Sequence, residues 1–141
     1  AKIRKAHITA QCSFSKINDL KKIGANEVVS RESDLIGELG KNKYDVVIDL
    51  VAGKNWSQLI EILKPGGRYA TSGAIAGPIV SLDIRKLYLK DLTFYGCTYQ
   101  TIEVFKDLIR YIEKGQIKPL VAKTYPLKKI KKAQEENKIP A

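Results

Sequence analysis

The chain has 141 residues, of which 44% are apolar, and its 25 Lys and Arg against 15 Asp and Glu give a net charge of +10. This length suits one domain that buries a core without disulfides or metals, which excludes a disordered chain and a cross-linked mini-protein. Cys12 and Cys97 lie far apart and outside any CxxC spacing, so the sequence predicts a reducing, cytoplasmic compartment. No apolar run approaches the roughly 18 residues of a membrane span, and the first residues lack the apolar stretch of a secretory signal.

The excess of positive charge attracts polyanions in general. The lysines, however, occur in pairs within segments of helical periodicity, such as Lys21 and Lys22 or Lys131 and Lys132. That pattern is typical of solvated helix faces. Tyr and Phe fall inside apolar strand and helix patterns and form no exposed aromatic platform, so the sequence does not favour nucleic-acid binding.

Short apolar runs alternate with segments of helical periodicity in the first half of the chain. A strand at residues 7–12 precedes a helix at 16–23, which Ser13 or Ser15 can cap and Gly24 ends. A strand at 27–29 and a helix at 35–39, begun by Ser33-Asp34, come next. Residues 44–51 are the strongest strand, and their β-branched centre predicts a buried parallel strand.

The same alternation continues through the second half. The sequence predicts helices at residues 56–63, 82–89, 102–113 and 127–136, strands at 68–72, 92–97 and 121–125, and a turn at 64–67 where Pro and two Gly occur together. Apolar residues of the 102–113 helix are expected to point inward. The pattern predicts an α/β fold, a doubly wound parallel sheet with helices on both faces.

Five segments occur in an order that resembles one protein family. They read LKKIGANEVVSRES, YDVVIDLVAG, LIEILKPGGRYATSG, DLTFYGCTYQT and IEKGQIKPLVAKTYPLKKIKKAQEE. Together they resemble the cofactor-binding half of the medium-chain dehydrogenase/reductase superfamily, zinc-type alcohol dehydrogenase-like, and within it the zinc-independent quinone oxidoreductase-like branch. The resemblance implies a Rossmann-like fold and hydride transfer from NADPH to a quinone, an enone or a small carbonyl.

The resemblance also implies that residues 1–141 are a partial NAD(P)-binding domain. The sequence begins after the place where the family carries its first strand and glycine-rich turn. It contains no counterpart of the family's GroES-like catalytic domain, and it stops before the family's final strand. We therefore expect an incomplete Rossmann domain that is not catalytically competent as an isolated chain.

In a Rossmann fold, the turn after the second strand faces the adenosine ribose, and an acidic residue there binds the 2′-hydroxyl of NAD. If residues 7–12 form that strand, its exit carries Ser13, Ser15 and Lys16 and no carboxylate. Two hydroxyls and an ammonium group suit a 2′-phosphate, which predicts NADPH over NADH. The alternative interpretation is a helix cap at one serine and an ordinary surface lysine.

Small residues follow three further strands, at the sheet edge where open α/β sheets bind ligands. By resemblance they face the cofactor ribose and the nicotinamide, where small side chains leave room for a flat ring. These candidate residues are Val51, Ala52 and Gly53, then Ser72 and Gly73, and finally Gly96, Cys97 and Thr98. For the first group, a simple strand-to-helix turn explains the spacing equally well.

The sequence predicts no catalytic or metal-binding residue. A metal site needs three or four converging ligands, and His7 is the single histidine, so zinc is not supported. Asp45 and Asp49 share one strand face by their period of two, and each is interpreted as a strand-end hydrogen-bond acceptor in preference to an acid–base pair. Cys97 is interpreted as a buried small residue.

Three alternative functions stay open at this point. The LKPGG turn behind a YDVVID strand also resembles class I methyltransferases that bind S-adenosylmethionine. The LKKIGANEVV and KPLVAKTYPLKKI segments favour the reductase. A non-catalytic basic module for RNA or nucleotides, and an inert structural fragment, are the remaining alternatives.

A missing first strand would divide the predicted sheet. In the order 3-2-1-4-5-6 the first strand is central, so residues 7–12 and 46–51 would flank an open slot. Buried unpaired backbone groups cost about 1–3 kcal/mol each. We therefore expect either that another segment or a second chain, as in a homo-oligomer, fills the slot by strand addition, or that these residues are part of a longer polypeptide. Direct hydrogen bonding between the two flanking strands would contradict this assignment.

Overall fold

The computed structural model describes residues 1–121 and 123–136. Its strands form two sheets in which every pairing is parallel. The first sheet joins β1 (Thr9–Cys12) to β2 (Glu27–Ser30), and the second joins β3 (Tyr44–Asp49), β4 (Leu63–Thr71) and β5 (Thr93–Gly96) in that order. The chain divides into a compact unit over Ala1–Gln100, which holds both sheets, and a second unit that starts at Thr101.

Helices alternate with the strands throughout the first unit. They are α1 (Ile17–Lys22), α2 (Leu35–Leu39), α3 (Trp56–Glu61) and α4 (Ile84–Leu89). The second unit contains α5 (Ile102–Glu113) and α6 (Ile130–Glu136). This alternation with purely parallel pairing confirms the predicted α/β class.

The strand order is that of a doubly wound sheet with one place open. In the order 3-2-1-4-5-6, β2 and β1 correspond to places 3 and 2, and β3, β4 and β5 correspond to places 4, 5 and 6. Place 1 of that order therefore lies between β1 and β3. In the described part of the chain, no ladder of backbone hydrogen bonds joins β1 to β3. The predicted slot is therefore present, and the pairing that would contradict the assignment is not formed.

Local hydrogen bonds explain where two of the helices begin. The Asp34 carboxylate accepts from the Ile36 N–H at 3.2 Å and caps α2, as the sequence predicts. Asp83 caps α4 in the same way through the Arg85 N–H. The prediction that Ser13 or Ser15 caps a helix was wrong, because α1 has no side-chain cap and the two hydroxyl oxygens instead lie 3.3 Å from each other.

The core of the first unit combines residues from strands and helices. Its buried members are Val29, Leu35, Val47, Trp56, Ile60, Ile62, Leu63, Tyr69 and Leu92. Ile60 and Leu63 are the most completely enclosed. The Trp56 ring meets those of Tyr69 and Phe94 edge-on, with centroids 5.6 and 6.1 Å apart, an arrangement that aromatic rings favour.

Burial along β3 follows one face only. Val47 and Asp49 are buried, whereas Val46 and Ile48 on the opposite face are 41% and 74% exposed. Side chains of a strand alternate between faces, and the core lies on the Val47 face. The prediction of a fully buried strand was therefore wrong for the Ile48 face.

The predicted turn at residues 64–67 is a bulge inside β4. Tyr44 aligns with Leu63 and Val46 with Arg68, so the bulge inserts extra residues into β4 opposite a short stretch of β3. Gly66 has a φ of 72°, and its N–H donates to the Lys90 carbonyl at 2.7 Å. The Pro and Gly residues of this segment thus interrupt the backbone pairing of β4 with β3, while β4 itself continues to Thr71.

The second unit departs from the sequence prediction at two places. Apolar side chains of α5 were expected to point inward, yet Phe105 and Ile109 are 56% and 39% exposed. Beside α5, the described residues of this unit form only α6 and a short helical turn, so little apolar surface is available to cover them. No strand is formed by residues 121 and 123–125, while residue 122 of that predicted strand lies outside the described residues.

We expect the substitution Glu61→Gln to lower stability at neutral pH and not in acid. Glu61 ends α3, pairs with Lys86 of α4 and lies 3.9 Å from the Lys41 ammonium. The Lys86 ammonium holds the pKa of Glu61 below its usual range. A carboxyl with a depressed folded pKa stabilises the fold above its unfolded pKa of about 4.3 and loses this contribution as the pH falls through the folded value. The expected loss in the free energy of unfolding is at most about 1 kcal/mol at neutral pH.

Urea titrations at pH 7 and below about pH 3 measure this difference. The matched control is Glu38→Gln, because Glu38 is an exposed glutamate of α2. An equal loss in the control, or a Glu61→Gln loss that persists in acid, would contradict the prediction.

Candidate functional site

The predicted site residues follow the carboxyl ends of four strands. Ser13 comes directly after β1, Val51 two residues after β3, Ser72 directly after β4 and Cys97 directly after β5. Strands that pair in parallel end at the same edge of their sheet, so the groups after β3, β4 and β5 share one edge. This is the edge at which open α/β sheets bind ligands.

A buried carboxylate organises the turn after β3. Asp49 is 6% exposed, and its Oδ1 accepts hydrogen bonds from the Val51 and Ala52 N–H groups at 2.8 and 3.1 Å. Its Oδ2 accepts from the Tyr69 hydroxyl at 2.7 Å, and the Trp56 Nε1–H donates to that hydroxyl at 2.8 Å. Burial and the neighbouring Asp49 raise the pKa of Tyr69. The prediction that Asp49 is a strand-end hydrogen-bond acceptor is confirmed.

Asp45 has a different environment from Asp49. Its Oδ1 lies 2.8 Å from the Lys64 ammonium, and that hydrogen bond lowers the pKa of the exposed carboxyl. Asp49, by contrast, is buried and bonded to the Tyr69 hydroxyl and to the turn after β3. The two carboxylates therefore do not form an acid–base pair.

The turn after β3 packs tightly against a second loop. Ala52 and Gly53 have φ angles of 53° and 81°, a left-handed conformation that favours glycine. A Cβ atom on Gly53 would lie 2.9 Å from the Ala76 carbonyl oxygen. The Ala76 N–H donates to the Val51 carbonyl at 2.9 Å. Packing against Ala76 therefore already requires the glycine, independently of any ligand.

The candidate residues at the carboxyl ends of β4 and β5 differ in how much space surrounds them. A Cβ atom on Gly73 would lie 2.8 Å from the Leu50 carbonyl oxygen, whereas one on Gly96 would meet open space. The Cys97 N–H donates to the Thr71 carbonyl at 2.8 Å, which holds the β5 exit against β4. Cys97 is only partly buried, so its interpretation as a buried residue was wrong; Cys12 is the buried cysteine. Ser72 and Thr98 are exposed at this edge.

A groove of about 480 Å³ lies at the carboxyl ends of β1, β2 and β3. We call it the carboxyl-edge groove, and its polar and small lining residues include Gln11, Arg31, Glu32, Val51, Ala52, Lys54, Asn55 and Ala76. Sequence reasoning singled out Val51 and Ala52 and missed Arg31 and Lys54. Both could have been predicted from their positions in the chain. Arg31 directly follows β2 and Lys54 follows the turn after β3, at the edge where open α/β sheets bind ligands.

The predicted 2′-phosphate residues are not part of that lining. Ser13 and Ser15 belong to the short turn between β1 and α1, and Lys16 immediately precedes α1. Ser15 and Lys16 are exposed and Ser13 is partly exposed. Their polar groups are therefore accessible from solvent beside the β1 exit.

Neither a metal cluster nor a membrane helix is found in residues 1–121 and 123–136. No three His, Cys, Asp or Glu side chains come together there, and the His7 Nε2 lies 3.3 Å from Glu27 Oε1. None of the helices in these ranges has the length and apolar character needed to cross a membrane.

The strand order and the carboxyl edge define a Rossmann-like domain. A family model described as zinc-binding dehydrogenase matches residues 23–137. The quinone oxidoreductase of Mus musculus is 32% identical over 126 residues, which cover 80% of this chain and 38% of that protein. The chain belongs to this dehydrogenase family, within the medium-chain dehydrogenase/reductase superfamily.

Two solved structures extend the comparison. A protein of Sinorhizobium meliloti 1021, described as a candidate alcohol dehydrogenase, is 41% identical with a TM-score of 0.78 over 91% of this chain and 37% of that chain. The Bacillus subtilis protein yhfP, solved with NAD bound, is 26% identical with a TM-score of 0.61 over 74% of this chain and 33% of that chain. The chain thus spans less than two fifths of the length of the relatives named here.

Proposed function

We propose that the chain is the nucleotide-binding part of an NADPH-dependent oxidoreductase that reduces a quinone, an enone or a small carbonyl in the cytoplasm. The observation that carries the proposal is the family match over residues 23–137. A bound nicotinamide supplies the hydride, and this chain holds and orients the dinucleotide. In this proposal residues 1–141 bind the cofactor without turnover, because a GroES-like catalytic domain must hold the substrate against the ring.

The residues at the carboxyl edge suit a dinucleotide. Arg31 and Lys54 bring two positive charges to the carboxyl-edge groove, where Val51 and Ala52 present backbone and small side chains. Gly96 leaves open space at the β5 exit, which fits a flat ring. We assign the ribose to Val51, Ala52 and Gly53, and the nicotinamide side to Ser72, Gly73, Gly96, Cys97 and Thr98.

The preference for NADPH rests on the β1 exit. Ser13 and Ser15 place two hydroxyls 3.3 Å apart, and the exposed Lys16 follows them in the chain. A 2′-phosphate can accept hydrogen bonds from both hydroxyls and from the ammonium group. Glu32 is a carboxylate that lines the carboxyl-edge groove, and the hydrogen bond that it accepts from the Ser30 hydroxyl lowers its pKa.

The pair of ligands 2′,5′-ADP and 5′-AMP tests this assignment, because the two differ only by the 2′-phosphate. We expect the 141-residue chain to bind 2′,5′-ADP more tightly in calorimetric titrations. Lys16→Glu should weaken 2′,5′-ADP binding by about 1.5–3 kcal/mol, the cost of losing a hydrogen bond to a charged group, and leave 5′-AMP nearly unchanged.

Lys21→Glu is the matched control, since Lys21 is an exposed lysine of α1 and the substitution changes the net charge equally. Binding of 2′,5′-ADP should survive this change with only a small, salt-dependent loss. Equal affinity for the two ligands in the unmodified chain, or equal losses in both variants, would refute the role of Lys16.

A further inference from the structure

Two buried aromatic side chains form hydrogen bonds that reach the carboxyl-edge groove from within the core. Trp56 and Tyr69 are 5% and 4% exposed, and neither is among the residues that line that groove. The Trp56 indole donates to the Tyr69 hydroxyl, which in turn donates to Oδ2 of Asp49. Asp49 lines the groove, and so do Val51 and Ala52, whose N–H groups donate to its Oδ1. A continuous series of hydrogen bonds therefore connects the core to the wall of the groove.

The orientation of the Asp49 carboxylate depends on the Tyr69 hydroxyl. Oδ1 accepts from the two N–H groups of the turn after β3, and the Ala52 N–H also lies 3.2 Å from Oδ2. Among residues 1–121 and 123–136, the Tyr69 hydroxyl is the one side-chain group that donates to this carboxylate, at 2.7 Å. The terminal torsion of an aspartate is soft, so a donor on the second oxygen is needed to fix the plane of the carboxylate.

The turn after β3 in turn depends on Asp49, because its backbone conformation is unfavourable by itself. Ala52 has a φ of 53°, in the left-handed region that a residue with a Cβ atom rarely adopts. Such a conformation persists only where surrounding contacts hold it. Here the contacts are the hydrogen bonds to Asp49 and the bond from the Ala76 N–H to the Val51 carbonyl. We therefore expect the turn to change shape when the carboxylate is no longer held.

The Tyr69 hydroxyl is available as this donor throughout the neutral pH range. Burial, and after it the hydrogen bond to Asp49, raises the pKa of Tyr69 above its ordinary value, so the phenol keeps its proton. The indole N–H of Trp56 can only donate, and it occupies a lone pair of the hydroxyl oxygen, which leaves the hydroxyl hydrogen to point at Asp49. Residues of α3 and β4 thus fix one carboxylate from two sides.

We infer that Tyr69 is a positioning residue for nucleotide binding: its hydroxyl orients Asp49, which holds the turn after β3 in the shape that receives the ligand. The inference rests on the proposed function, which places a dinucleotide in the carboxyl-edge groove. A site that already has its binding conformation avoids the cost of ordering when the ligand arrives. Tyr69 therefore increases the affinity without contacting the ligand.

The test compares how tightly variants of the 141-residue chain bind 5′-AMP and 2′,5′-ADP in calorimetric titrations. Tyr69→Phe keeps the ring and removes the hydroxyl, and we expect it to weaken binding of both ligands about tenfold. Because both ligands meet the same groove wall, the ratio of the two affinities should stay as it is in the unmodified chain. This readout separates Tyr69 from Lys16, whose substitution is expected to change that ratio.

Leu92→Ala is the matched control for lost stability. Leu92 is buried in the same core, and its side chain has no polar atom that could join the hydrogen bonds. All titrations are made under conditions in which circular dichroism shows each variant to be folded. The control should bind both ligands as the unmodified chain does, although it also lowers the free energy of unfolding.

Two substitutions of Asp49 test the same inference if Tyr69→Phe does not fold. Asp49→Glu keeps the charge and displaces the carboxylate by one methylene, whereas Asp49→Asn keeps the position of the acceptor and removes the charge. Positioning predicts a larger loss of affinity for Asp49→Glu than for Asp49→Asn. The opposite order, or equal losses, would show that the charge matters more than the position and would overturn the inference.

Binding of both ligands by folded Tyr69→Phe within about twofold of the unmodified chain would overturn the inference and leave the proposed function standing. An equal loss of affinity in Leu92→Ala would also overturn it, since the effect would then follow stability alone. If the unmodified chain binds neither ligand, the proposed function fails, and the role of Tyr69 fails with it.

Discussion

Replacing Leu63 by alanine is expected to lower the free energy of unfolding by about 2–5 kcal/mol. Leu63 is fully buried at the start of β4, where it aligns with Tyr44 of β3. Truncation removes buried methyl groups and leaves a cavity in the core cluster that Leu63 shares with Ile60 of α3. Chemical denaturation followed by tryptophan fluorescence measures the loss, because the single tryptophan, Trp56, lies in the same core.

Leu89→Ala is the matched control for this substitution. Leu89 ends α4 and is 70% exposed, so the same atoms are removed from a side chain that contacts mainly solvent. A change within about 0.5 kcal/mol is expected there. Similar losses for both leucines would show that the core assigned to the first unit is not the one that stabilises it.

Tyr69→Phe is expected to lower the free energy of unfolding by about 3 kcal/mol, although it removes a single oxygen atom. The hydroxyl accepts from the Trp56 indole N–H and donates to the buried Asp49 carboxylate. Without it, a buried donor and a buried charge each lose a partner, and desolvated groups of this kind are costly to leave unpaired. The ring itself is retained, so the loss reports on the hydrogen bonds rather than on packing.

Tyr99→Phe is the matched control, because it removes the same hydroxyl group from a side chain that is 87% exposed. Urea titrations of both variants should show a loss only at position 69. We also expect faster amide exchange at Val51 and Ala52 in Tyr69→Phe, since Asp49 holds both N–H groups. A Tyr69→Phe variant as stable as the unmodified chain would refute the network as a stabilising feature.

Several features of the fold were predictable because they depend on nearby residues. The β-branched run at residues 44–51 predicts a strand, and residues 44–49 form β3. Asp34 and Gly40 bracket α2 as expected from capping chemistry. The absence of a ladder between β1 and β3 was predictable too, because the alternation of elements assigns these strands to places 2 and 4 of the doubly wound order.

The candidate site was only partly predictable. Strand ends locate Val51, Ala52 and Ser72 at one edge, because parallel strands all end there. Arg31 and Lys54 were missed, since they line one groove only after β2 and β3 are brought side by side. The role of Asp49 as the acceptor for Tyr69 also joins positions twenty residues apart in the sequence.

The sequence by itself determined the class of fold, the strand exits that form the candidate site and the family, because periodicity, turn residues and ordered segments are local signals. Tertiary structure alone decided which face of β3 is covered, why Gly53 and Gly73 have no room for a side chain, and which charges meet in the carboxyl-edge groove. These properties depend on distances between segments that are far apart in the chain. Local propensity contains no information about such distances, because they are set only when the strands pair and the helices pack against them.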